Sequence, residues 1–267
     1  MQSTNITEAS GLALSWRNPG VVWTHNDGST DVLYAMTTGG RLLGKYHLNR
    51  STEDVEDIAV GPGPSADRTY VYAADIGSNN SSRDKVKIFR VPEPEISTTQ
   101  QSDKFDLSDV DSFELKYPNG AFDAECLLID SISRELFIIT KEADGATVFK
   151  IAFDQMDANN TKTVDLVGRI AFQKVSGGAV SRDGHFIAIR REDFAQAWYR
   201  ADVNESLGQT LLDPATPIPV VGPPIEPNGE GITFLLDDSG YMTVSEGVNQ
   251  PIYFFPRLGS TVDPEFV

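Results

Sequence analysis

Internal repetition constrains this chain more than any other feature. One pattern recurs five times along its 267 residues: a short apolar segment, a turn, a second apolar segment ending in charged residues, then a third. The first copy reads SGLALS, WRNPG, VVWTHNDG, VLYAMT and RLLGKYHL, and the second VEDIAVGP, TYVYAADIG, KVKIFRV and SFELKYP. AECLLID, ELFIITKE, TVFKIAF and VDLVGRIAF make the third; GGAVS, HFIAIRRED, QAWYR and PIPVVG the fourth; GEGITFLL, YMTVSEG and PIYFFP the fifth. The segments are rich in β-branched and aromatic residues and bounded by Gly, Pro, Asn and Asp, which marks them as strands. No stretch shows a long helical period.

Anchored on Leu12, Ile58, Leu127, Val180 and Ile232, the copies lie 46, 69, 53 and 52 residues apart. Units of this size, each of three or four antiparallel strands, are propeller blades. The expected fold is therefore all-β: one propeller domain over 1–267, with four-stranded antiparallel blades around a central channel. The blades fall at 8–48, 54–117, 121–172, 175–221 and 228–257. A sixth blade would have to hide in 92–120, which holds one good strand, or in 201–228, which is Pro-rich. Five is the count adopted, with a two-sheet sandwich as the alternative fold. The long second interval is assigned to a solvated polar loop near Glu93–Asp111. The fifth copy lacks an outer strand, and the STNIT segment at 3–7 is expected to supply it and close the ring.

With 39 acidic against 22 basic residues the net charge is −17, a surface that repels nucleic acid and anionic membranes. No apolar run reaches the eighteen residues of a membrane span. The single Cys126 excludes an intrachain disulfide and reads as a buried structural thiol. Six N-x-S/T sequons begin at Asn5, Asn49, Asn79, Asn80, Asn159 and Asn204, a pattern expected of a secreted, glycosylated protein. MQSTNITEAS itself has no signal-peptide pattern, so any targeting peptide is expected to have been removed or never to have existed. The partner expected is a small molecule or carbohydrate, and the chain is expected to be a monomer.

In a propeller, the start of each blade's first strand and the end of its second gather around one mouth of the channel. Those places hold Glu8, His25, Asn26 and Asp27; Glu56, Asp57 and Asp75; Asp123, Glu125, Lys141 and Glu142; Arg190, Arg191, Glu192 and Asp193; and Glu230, Ser245 and Glu246. The turns NPG, RDG and DDSG fall on the other face. Carboxylates crowded around a narrow mouth must bind a cation, pair with a base, or hold raised pKa values. An oxygen-only ligand set favours Ca²⁺ or Mg²⁺ over zinc. The candidate metal ligands are Glu8, Asn26, Glu56, Asp75, Glu125 and Glu230. The candidate catalytic residues are His25 as general base beside Asp27, then Asp75, Glu125, and Lys141 with Arg190 to hold developing negative charge. His47 and His185 read as surface residues, and Trp23, Trp198 and Tyr199 as core or as a sugar-stacking platform. Inner-strand acids can equally fasten the ring by bonding the amides of neighbouring blades.

Trp23–Gly28, Arg182-Asp183 and Glu125-Cys126 share elements with the motifs of five-bladed glycosidases of the invertase type. Their order along the chain differs, so only the generic carboxylate logic carries over, with Asp27, Asp75 and Glu125 sharing the roles. WTHNDG, VEDIAVG, ADIGSN, IFRVPEPE, YPNGAFDAECLLID, GITF and SEGVNQPIYFF span almost the whole chain and resemble a group of secreted bacterial β-propeller proteins. That group is distantly similar to the calcium-dependent lactonases, phosphotriesterases and phytase-like propellers. The resemblance implies a propeller with a mouth Ca²⁺ held by Glu, Asn and Asp residues, types present here at Glu8, Asn26, Asp75, Glu125 and Glu230. The function expected is a metal-assisted hydrolase of an ester, lactone or phosphoester, or a lyase. The alternatives are a non-catalytic carbohydrate- or ligand-binding module and a glycoside hydrolase.

Overall fold

The structure, a computed structural model, describes Met1 and residues 3–257. Blade one contains β1 (Ala9–Leu14), β2 (Val21–Asn26), β3 (Val32–Thr37) and β4 (Leu42–His47). Blade two contains β5 (Val55–Pro62), β6 (Thr69–Asp75) and β7 (Lys85–Pro92); β8 (Asp103–Asp106) follows, and β9 (Asp111–Lys116) completes the blade. Blade three is β10 (Ala124–Asp130), β11 (Glu135–Thr140) and β12 (Ala146–Ala152), then β13 (Lys162–Thr163) and β14 (Asp165–Ile170). Blade four has β15 (Gly177–Val180), β16 (Phe186–Arg191), β17 (Phe194–Tyr199), helix α1 (Leu207–Leu212) and β18 (Thr216–Ile218). Blade five has β19 (Gly229–Phe234), β20 (Gly240–Ser245) and β21 (Tyr253–Pro256). Five sheets result, one per repeat, arranged as a five-bladed β-propeller.

Residue alternation explains why the blades stack. In β11, Leu136 and Ile138 point to blade two while Phe137 and Ile139 point to blade four. Side chains alternate sides along a strand, so a strand between two neighbours reads as a continuous apolar run. A separate apolar cluster fills each of the five gaps between blades. The innermost strands β1, β5, β10, β15 and β19 pack side by side around the axis.

Two expectations need correction. The segment between β7 and β9 is exposed over most of its length, as a solvated loop would be, but it is anchored at its start and carries a strand. Glu93 at its start is 2% exposed and accepts hydrogen bonds from Trp23 Nε1 (3.0 Å), Arg17 N (3.1 Å) and Thr69 Oγ1 (2.6 Å). The segment then runs back to blade one, where β8 adds to β4 in parallel. In the same manner β13, which precedes blade three's outer strand, adds in parallel to β9 of blade two. Blades one and two thus have five strands each.

Nor does the amino-terminal segment close the ring as a strand. Among the described residues blade five has three strands, and residues 3–7 lie outside any sheet. Closure is achieved instead by the apolar cluster between blades five and one, in which Ile6 is fully buried, and by a bond from Gly247 N to Thr7 O (2.8 Å). At this seam β19 and β1 touch backbone to backbone. A Cβ on Gly231 would sit 2.7 Å from Leu12 N and 2.8 Å from Ser10 O, so no larger residue fits.

The channel is narrow below its mouth, lined by Leu12, Ile58, Leu127, Ala179 and Thr233 among others, with only ≈ 30 Å³ of free space. That is room for about one water. At the far end the Arg182 guanidinium lies 5.3 Å from the Trp16 ring centre. The asparagines of all six sequons are exposed on turns or loops.

Candidate functional site at the channel mouth

Strand pairing is interrupted at the mouth end of four of the five innermost strands. The register breaks between Ala9 and Leu12, Val55 and Asp57, Ala124 and Cys126, and Gly229 and Ile232. Each break is a β-bulge, which leaves a residue unpaired and re-aims its side chain. Ser10, Glu56, Glu125 and Glu230 occupy the bulges, each two residues before its blade's anchor. Blade four pairs regularly from Gly177 and presents glycines at this height. Acids also stand four residues before the anchors of blades two and three, at Asp54 and Asp123.

Two bulge residues, Glu56 and Glu125, come together with three acids flanking the strands, Asp27, Asp54 and Asp123. Ligand oxygens of Asp27, Asp54 and Glu56 all lie within 4.8 Å of one another, as do those of Glu56, Asp123 and Glu125. Lys141 is the nearby cation, with Nζ 3.0 Å from Glu125 Oε1. Burial, then the charges of Glu125 and Asp27, push Glu56 up to about 12. Glu125 rises to about 7 because burial outweighs the pull of Lys141. Burial and the neighbouring Glu125 carry Glu230 well above the usual carboxylate range, and its Oε2 is buried without a partner. Asp54 is raised by burial and by Asp27 and Asp123. Burial opposes the charge of Lys141, but Glu125 more than offsets it and raises the amine. The mouth therefore crowds together more carboxyls than its one lysine can pair, and burial holds several of them protonated in the absence of a cation.

Several residues expected at this site have other partners. His25 is fully buried; its Nε2 accepts from Gly11 N (3.1 Å) and its Nδ1 lies 2.8 Å from Asn26 O. Burial lowers it to about 4, so it is a neutral link between strands and a poor general base near pH 7. Asp75 is fully buried and accepts from Arg83 Nη1 (3.0 Å), Glu53 N (3.2 Å) and Asp54 N (2.9 Å), so it positions the backbone of Asp54. Arg190 is fully buried against Glu226 at 3.2 Å and also donates to the carbonyls of Gly231 and Val244. It clamps blade four to blade five, in space kept free by the missing side chain of Gly229.

Asn26 spends its amide on the backbone of Thr7, Glu8 and Asn5, and Glu8 is exposed, with its carbonyl accepting from Asp27 N at 2.7 Å. Asp57 is a fastener: its carboxylate accepts from Ile58 N (2.8 Å) and from Leu127 N of blade three (2.7 Å). Trp23 and Trp198 are core residues, whereas Tyr199 is exposed. Of the expected set, Asp27, Glu56, Glu125, Lys141 and Glu230 are gathered at the mouth. Asp54 was missed, although it shares with Asp123 the same offset from its anchor, a signal readable in the repeat.

Fold and mouth together define the class: a five-bladed β-propeller with a carboxylate-lined channel mouth. No family model and no curated protein matches the chain. Among solved structures it is similar to a "putative 6-phosphogluconolactonase" from Bacteroides uniformis, with a TM-score of 0.43 and 13% identity over 95% of this chain and 67% of that one. It is also similar to U3-55K, with a TM-score of 0.43 and 10% identity over 92% of this chain and 80% of that one.

Proposed function

We propose that this protein is a hydrolase that uses a divalent cation, Ca²⁺ or Mg²⁺, at the channel mouth to act on a small polar or anionic ester, lactone or phosphoester. One observation carries the reading: Glu56, 3% exposed, sits among carboxylates rather than opposite a base. Buried acids in soluble folds are paired or coordinate metals. Asp27, Asp54, Glu56, Asp123 and Glu125 would hold the ion, a hard-oxygen set suited to these cations. A bound cation would polarise the substrate's oxygen and lower the pKa of a coordinated water.

Lys141, on the rim, is placed to attract an anionic substrate group. Glu230, whose carboxyl burial and the neighbouring Glu125 hold well above the usual range, is placed to donate a proton to a leaving group. With so little free space in the channel below, substrate would bind at the mouth face. The six exposed sequons support an extracellular setting for the protein.

Thermal unfolding after EDTA treatment, with Ca²⁺ or Mg²⁺ titrated back, tests the reading. At a hundredfold excess over Kd, binding adds about 2.7 kcal/mol, a rise of several degrees in Tm. No rise with either ion would remove the metal from the reading. A rise without turnover across a panel of esters, lactones and phosphoesters would make the protein a binding module.

A further inference from the structure

We propose that the mouth binds a pair of divalent cations bridged by the carboxylate of Glu56. This rests on the reading that the mouth takes a divalent cation, and adds how many and on which residues. Oxygens bound to one Ca²⁺ at about 2.3–2.6 Å lie no more than about 5 Å apart. Each of the two carboxylate groups, with ligand atoms within 4.8 Å, matches that spread by itself. They share Glu56 and otherwise draw on different parts of the ring: Asp27 and Asp54 on one side, Asp123 and Glu125 on the other.

The hydrogen bonds divide the labour in the same way. Asp54 Oδ2 accepts from Asn79 Nδ2 (3.2 Å), Asp123 Oδ1 from Ser78 N (2.7 Å), and Glu125 Oε1 from Lys141 Nζ (3.0 Å). Each of these acids has one oxygen tethered by the protein and the other left for an ion. Asp27 Oδ1 is buried without a partner. Glu56 is 3% exposed, and among the described residues the side chains hydrogen-bonded to it are the carboxyls of Asp27 and Glu125. Two carboxylates cannot share a hydrogen bond while both are ionised; a cation between each pair replaces the missing proton. Charge agrees: five carboxylates and one ammonium leave four negative charges, which two dications neutralise and one does not.

Calorimetric titration of the EDTA-stripped chain with Ca²⁺ should give two ions per chain. Mn²⁺ added to two equivalents should show electron-spin coupling between ions joined by a carboxylate. Asp54→Asn and Asp123→Asn should each bind one ion, and Glu56→Gln should weaken binding at both positions by at least about tenfold. One ion per chain, uncoupled Mn²⁺ at two equivalents, or a Glu56→Gln variant that still binds two would each overturn the pairing. Binding of no ion at all would overturn the metal reading of the mouth itself, a result distinct from any of these. The spin measurement needs no variant, so a substitution that fails to fold does not block the test.

Discussion

Two acids of this propeller are almost equally buried and live in opposite surroundings. Asp130, at the end of β10 away from the mouth, is fully buried and meets Arg200 through both nitrogens, at 2.8 and 3.0 Å. Ser133 Oγ and Ile132 N complete its shell. Burial pushes its carboxyl up, but these donors outweigh burial and hold it below the ordinary value. Glu56 is equally hidden and meets carboxylates, so burial and neighbours act together and push it to about 12. Depth alone therefore says nothing about role. The fold finishes the shell of Asp130 from its own residues and leaves that of Glu56 open, which is what separates a fastener from a site awaiting a ligand.

The contrast can be broken most forcefully at Arg200. Replacing it with Met leaves Asp130 buried and unpaired, and unfolding by urea at pH 7 should show a loss of about 3–5 kcal/mol. A loss below about 1 kcal/mol would mean that Asp130 is not held as described. A smaller effect is expected from pH. The folded state keeps a proton on Glu125 up to about pH 7, while the unfolded chain releases it near 4.5. Cation-free protein should therefore lose stability as pH rises through that window, by at most about 1.4 kcal/mol per unit for one group. The linkage of Asp130 has the opposite sign, its stabilisation being present above pH 3.8 and lost as pH falls through its depressed pKa. Glu125→Gln should make the slope of the higher window shallower in a series of melts, Glu56 and Glu230 still contributing to it, and leave the lower one; an unchanged slope would show that Glu125 takes no part in it.

The smallest effect sharpens the contrast. Glu56→Gln replaces a protonated acid by a neutral group of the same shape. Cation-free stability should stay within about 1 kcal/mol of the parent while the Ca²⁺-dependent rise in Tm disappears. A large loss without cation would make Glu56 a fastener after all.

The blades were legible because continuous apolar runs such as ELFIIT are strong and Gly, Pro, Asn and Asp mark their limits. The parallel strands were not: DKFD and KT have no apolar pattern, and their partners are remote in sequence. At the mouth, Glu56, Glu125 and Glu230 could be found from their distance to the anchors. Asp54 could have been found in the same way, from the offset it shares with Asp123; that Asp75 is withdrawn from the site could not be read without Arg83, which claims it from within a Ser- and Asn-rich loop. His25 was misjudged because its neighbour Asp27 suggested a catalytic pair. The ring instead bonds inward to Gly11, whose N–H is freed by the bulge in β1.

The strands β8 and β13 give the ring a direction. Each passes backward, from the second repeat onto the first and from the third onto the second, and is hydrogen-bonded along the neighbour's rim. Prising blade one from blade two, or two from three, means tearing strands out of a sheet. Between blades five and one the described contacts are side-chain packing, a glycine-tight approach of β19 to β1, the bond from Leu14 N to Thr233 Oγ1 and a few loop hydrogen bonds, with no strand shared between the two sheets among the described residues. Under mechanical load the circle has a built-in clasp there, and that joint, rather than any rivet between the first three blades, is where it should spring open.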